Sequence, residues 1–192
     1  MRRTTTLVVC SLALALWAGT AFAGITTPPA DTLKVEYFAN ANTADAPDAT
    51  LRLTNPGTAL NNICADIFVF DVNEELTECC SCFLSPDGLR TLSVNTDLTS
   101  NPLTGVILNT GVIKIVSAKL SNGQCPTPVI INSTPAVRAW ATHIQDTSFA
   151  ITETAAQDAT FSLNEDVSLL KQCQAIQLDG SGHGICSCGS GD

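Results

Sequence analysis

The chain has 192 residues, with 9 Lys+Arg against 18 Asp+Glu, a net charge of −9 and 9 cysteines. That acidity excludes a nucleic-acid or anionic-lipid binder, since either needs a basic face. An aromatic content of 5% likewise argues against a sugar-stacking platform.

Arg2 and Arg3 precede an apolar run, and Ala21-Phe22-Ala23 forms an A-x-A site. This is the pattern of a signal peptide over 1–23, with Gly24 as the first mature residue. The apolar run is too short to span a bilayer, and no later stretch suits a membrane span. Val9 and the early position of Cys10 speak against lipidation. Removing 1–23 from 192 residues leaves 169, enough for one domain with a real core. Arg2 and Arg3 leave with it, so 7 basic residues face 18 acidic ones, a net −11. The expected domain is 24–192, placed in the periplasm or outside the cell.

Strand signals follow in order. Residues 32–38 alternate, with Leu33, Val35 and Tyr37 on one face and Lys34 and Glu36 on the other. A polar loop covers 39–47, and 51–53 repeats the period of two before Asn55-Pro56-Gly57 breaks it. Residues 63–70 give the strongest strand. Ile63, Ala65, Ile67 and Val69 face one way; Cys64, Phe68 and Phe70 face the other. Apolar groups on both faces predict a strand covered twice, in which Asp66 needs a partner.

Residues 89–94 and 112–120 are further strands, the second ending at the hairpin signal Asn122-Gly123. Prolines frame an irregular connection around 129–131. Residues 137–144, 149–154 and 159–163 complete about eight short strands, which argue for an antiparallel β-sandwich. Ser162-Leu163-Asn164-Glu165 matches a capping box and opens a C-terminal helix over 163–178. Val167, Leu170, Cys173 and Ile176 form its apolar stripe, and Asp179-Gly180 stops it. Residues 180–192 read as a flexible glycine-rich tail that Cys186 and Cys188 would tether.

Eight cysteines remain after export: Cys64, Cys79, Cys80, Cys82, Cys125, Cys173, Cys186 and Cys188. An even count in an exported chain predicts four disulfides. About a hundred pairings are open. A Cys79–Cys80 bond would be strained, so these two reach different partners. Zinc is the competing use, with thiolates near His183 or in the terminal pair. Spacings of C-C and C-x-C differ from the paired C-x2-C of zinc knuckles. The redox alternative lacks C-x-x-C.

Asp71, Asn73 and Glu75 offer alternating oxygens like the opening of a calcium loop. Leu76 stands where an EF-hand needs glycine and Cys82 where it needs glutamate, so only a looser calcium site fits. The plain alternative for 71–78 is a solvated turn or one helical turn. His143 falls in a strand and reads as structural, whereas His183 sits among glycines. No nucleophile elbow, zincin, Walker or dinucleotide motif occurs, so no catalytic residue is assigned and no cofactor is expected.

Four stretches together carry a resemblance. They are Asn62-Ile63-Cys64-Ala65-Asp66-Ile67-Phe68-Val69-Phe70-Asp71; Glu74-Glu75 with Glu78-Cys79-Cys80-Ser81-Cys82; Leu98-Thr99-Ser100-Asn101-Pro102; and Cys173 through Gly180-Ser181-Gly182-His183-Gly184-Ile185-Cys186. The set resembles a family of uncharacterised secreted bacterial proteins with an E-C-C-x-C segment. The resemblance implies export and a shared disulfide frame, and it brings no activity.

The expectation is an exported, non-catalytic structural, adhesive or ligand-binding domain, with loop 71–78 as its presented surface and an extracellular protein or ligand as partner. Calcium binding, a small secreted hydrolase or thiol-redox enzyme, and assembly into a fibre or coat through 24–30 are the alternatives.

Overall fold

A computed structural model describes residues 31–58, 60–126, 133–160 and 163–189. The expected signal peptide 1–23, segment 24–30, the 129–131 connection, Ser162 of the expected capping box and residues 190–192 lie outside them.

The strands are β1 (Leu33–Phe38), β2 (Thr50–Thr54), β3 (Ile63–Phe70), β4 (Leu76–Leu84), β5 (Leu89–Ser93), β6 (Gly111–Lys119), β7 (Arg138–Gln145), β8 (Ala150–Ala155) and β9 (Gln157–Asp158). Among the described residues one α-helix, α1, spans Leu163–Leu178. The strands build two antiparallel sheets, ordered β4-β3-β6-β1-β9 and β5-β2-β7-β8. The expected sandwich with a C-terminal helix is therefore the fold.

Alternation along β3 explains its central place. Ile63, Ala65, Ile67 and Val69 join Leu51, Leu53, Ile113, Ile115, Ala139 and Ala141 in one core, contributed by both sheets. Phe68 points the other way, into a second cluster with Leu33, Val116 and the α1 residues Leu169, Leu170, Cys173 and Ile176. The strand is covered by a sheet on one side and a helix on the other, as its two apolar faces require.

Four expectations are corrected. First, 71–78 is not a loop throughout: the turn ends at Glu75, and β4 takes Leu76–Leu84, cysteine cluster included. Pairing with β3 from Ile63↔Leu84 to Phe70↔Leu76 holds it, with an irregularity between Val69 and Phe70. Second, β5 ends at Ser93. Val94 begins a single π-helical turn, Val94–Leu98, because the Ser93 hydroxyl accepts the Thr96 N–H at 2.8 Å and caps it. Third, the stripe of α1 is rotated. Leu169 is buried, whereas Val167 is 43% exposed.

Fourth, of the strand expected at 159–163, residues 159 and 160 are not in a strand and Leu163 begins α1; the strand here is the two-residue β9, anchored where the Lys34 ammonium donates to Asp158 and Asp31, each at 2.8 Å. Asn122 and Gly123 take positive φ of 51° and 78° between the bridged Ser121 and Gln124, the two-residue turn their order predicts.

Four connections meet at one end of the sandwich: 39–49, 71–75, 94–110 and 146–149. Ala41 donates its N–H to the Asn109 carbonyl at 2.9 Å, and Leu103 donates to Thr77 at 3.0 Å. The Asn42 N–H reaches Asn95 Oδ1 at 2.9 Å, and Asn40 Nδ2 reaches the Asp146 carbonyl at 3.0 Å. These bonds lash 39–49 to 94–110 and to 146–149, and fasten 94–110 to β4 just past the turn 71–75, which lies at the same end.

Candidate functional site

All eight cysteines among the described residues are bonded: Cys64–Cys125, Cys79–Cys173, Cys80–Cys186 and Cys82–Cys188. Alternation in β4 sorts the cluster. Cys79 faces the helix, and Cys80 and Cys82 face the inter-sheet core. The two Cys-Ser-Cys segments run parallel in register. A bridge pairs Cys79 with Ile185, and both following bonds have a separation of 106. Segment 185–189 thereby lies against β4, an outer strand of its sheet. On its other side Arg90 of β5, also an outer strand, donates to the Cys188 carbonyl at 2.7 Å. The segment closes the open side of the sandwich, which protects two strand edges.

Asn101 fastens the same segment. Its Nδ2 donates to the Gly182 and Ile185 carbonyls, at 2.8 and 3.2 Å. Its own carbonyl accepts the Gly184 N–H at 2.7 Å. Its Oδ1 lies 2.9 Å from His183 Nδ1. The Asn101 N–H donates in turn to Glu78 Oε1 at 2.9 Å. Glu78 is fully buried, and burial pushes its carboxyl up to about 7. The tether expected from Cys186 and Cys188 is present, and Asn101 adds a second one.

Zinc ligation competes with these bonds. Among the described residues, Cys80, Cys82 and Cys188 form a group of three whose sulfurs lie within 4.8 Å of one another. Each is spent in a disulfide, so none is a thiolate.

The oxygens of Asp71 serve the turn itself. Oδ1 accepts the N–H groups of Asn73 at 2.8 Å and Glu75 at 2.9 Å, and Oδ2 accepts Asn73 Nδ2 at 3.3 Å. That is how an aspartate mimics a backbone turn. Asn73 and Glu75 project into solvent.

His143 is buried, its Nε2 2.9 Å from Glu36 Oε2 and 2.7 Å from Thr154 Oγ1. Tyr37 stacks on the ring with centroids 4.2 Å apart. Carboxylate, imidazole and hydroxyl invite comparison with a catalytic triad. In a triad the carboxylate holds Nδ1 and the hydroxyl meets Nε2. Here both partners meet Nε2, and among the described residues Nδ1 has no hydrogen-bond partner, so the arrangement differs from a triad. Burial pushes the Glu36 carboxyl up, partly offset by His143.

Asp66 finds the partner its strand position demanded: Ser81 Oγ donates to Oδ1 at 2.5 Å. Burial still pushes Asp66 to about 7, with a smaller contribution from the charge of Asp166, which burial raises to about 6. Glu36 was legible only as a polar residue in an alternating strand. Glu78 and Asn101 stood only within the stretches that carry the resemblance, with no role assigned, and Asp166 carried no signal.

The loop end has a distinct chemistry. Its connections contain Asp45, Asp48, Asp71, Glu74, Glu75, Asp97 and Asp146, and no Lys or Arg. Val72, Val106 and Ile107 on the same end are 67%, 62% and 68% exposed.

Comparison with protein-family models, with curated proteins and with solved structures finds no match to this chain.

Proposed function

We propose that this chain is an exported, non-catalytic binding module whose acidic loop end takes a basic, partly apolar protein segment outside the cytoplasm. The observation that carries the proposal is the coincidence, on four loops at one end of the sandwich, of exposed carboxylates, no basic side chain and three exposed aliphatic residues. Charge of one sign steers an opposite partner, and the aliphatic groups supply area to bury. Loops fixed on a rigid scaffold are common binding surfaces. Four disulfides and the signal-like 1–23 support export, because such bonds persist in oxidising compartments.

The test titrates a labelled peptide of alternating lysine and leucine against the native protein and the variant Glu74→Gln/Glu75→Gln/Ile107→Ser, at low and high salt. Binding that salt weakens and the variant loses supports the proposal. Equal binding to both proteins, or none to either, overturns it.

A second reading, self-assembly, rests on β8. It is the outer strand of its sheet, and all six residues are exposed, Ile151 among them. Such an edge can accept another strand. Light scattering of the native chain and of Ile151→Lys separates assembly from a monomeric module.

A further inference from the structure

Two disulfides lie side by side in the ladder, and they differ in access. Cys80, Cys82 and Cys186 are buried, whereas Cys188 is half-buried. The Cys80, Cys82 and Cys188 sulfurs lie within 4.8 Å of one another, so cutting one rung leaves a thiolate beside the other. Cys79 points to the opposite face of β4 and stays apart.

We propose that this ladder is a thiol–disulfide exchange site, with Cys188 as its entry sulfur and a soluble thiol as its co-reactant. The thiolate attacks Cys188 Sγ. The Cys82–Cys188 bond breaks, a mixed disulfide forms on Cys188, and Cys82 leaves as a thiolate. Cys82 then attacks Cys80 Sγ, forming Cys80–Cys82 and expelling Cys186 as a thiolate. Cys186 attacks the mixed disulfide, forms Cys186–Cys188 and returns the thiol. No net electrons are transferred. Two bonds between segments become two bonds within segments.

Access and a nearby leaving group are what such exchange requires. Two residues along a strand span about 6.7 Å between Cα atoms, inside the reach of a disulfide of roughly 4.4–6.8 Å. The product releases segment 185–189 from β4 and β5. It leaves Cys64–Cys125 and Cys79–Cys173 intact.

The experiment exposes native protein briefly to reduced glutathione at mildly alkaline pH, alkylates it with iodoacetamide, quenches with acid and maps the cysteines without reduction. The expected intermediate carries glutathione on Cys188, the alkyl group on Cys186 and a Cys80–Cys82 bond. Longer exposure gives a species of unchanged mass with Cys80–Cys82 and Cys186–Cys188 bonds. In Cys80→Ser/Cys186→Ser the alkyl group moves to Cys82. If that variant does not fold, trapping in the native chain decides alone. Alkylation of Cys82 in the native chain, native pairings throughout, or label spread over all eight cysteines overturns the proposal.

Discussion

Cys79 and Cys80 are adjacent in sequence and bond on opposite faces of one strand. Cys79 reaches Cys173 on the covering helix, and Cys80 reaches Cys186 on the segment that closes the sandwich. A single step along β4 thus ties the sheet to both of its coverings. The pleat makes this unavoidable, since successive side chains in a strand point to opposite faces.

Removing the helix bond should loosen α1 alone. Cys79→Ser/Cys173→Ser is expected to lower unfolding stability by about 2–4 kcal/mol, given a closed loop of 94 residues in sequence separation. Urea denaturation measures the loss. Mapped disulfides should show the ladder still native.

Stability should fall as pH rises from about 4 to about 7. Folding raises Asp66 and Glu78 from ordinary values of 3.8 and 4.5 to about 7, and Asp166 to about 6. The native state therefore holds protons that the unfolded chain has released, and the slope across this window is negative. Asp158, Asp146 and Asp179 are lowered, so their contribution is lost only as pH drops below the usual carboxylate range. The maximum is expected near pH 4–5 on these grounds. Urea midpoints at pH 5 and pH 8 check it, and Asp66→Asn/Glu78→Gln should flatten the difference.

The pair of Glu36 and His143 predicts an asymmetry. His143→Ala strands a buried carboxylate and should cost about 3–5 kcal/mol. Glu36→Gln keeps a hydrogen-bonding group beside Nε2 and should cost clearly less. Equal losses in thermal denaturation would remove the pairing as the cause.

Gly184 predicts a failure of closure. Its φ is 78°, and an added Cβ would meet Ile176 Cγ2 at 2.5 Å and the Thr77 carbonyl at 3.2 Å. Gly184→Ala is expected to refold with a lower yield of the Cys80–Cys186 and Cys82–Cys188 bonds. Peptide mapping after oxidative refolding reads this directly.

What the sequence made legible was local. The double face of β3, the extent of α1 and the Asn122-Gly123 turn each follow from periods or turn chemistry within the element itself. β4 escaped because its opening Thr77 and Glu78 are polar yet buried, Thr77 against the Val69 carbonyl of the neighbouring strand and Glu78 against Asn101, 23 residues away. Disulfide pairing escaped for the same reason: the parallel register of two Cys-Ser-Cys segments exists only in three dimensions. The acidic turn was visible as a string of carboxylates. Its company at the loop end, with Val106 and Asp146, required the sandwich.

The closing segment also imposes an order in time. β4 must wait for partners roughly a hundred residues downstream, and during synthesis at about 5–20 residues per second that wait lasts seconds. Throughout it, β4 has one unpaired edge and three reactive thiols. Maturation is then a race between the arrival of 185–189 and capture of β4 by a neighbouring chain, and the yield should depend on how dilute and how oxidising the surroundings are.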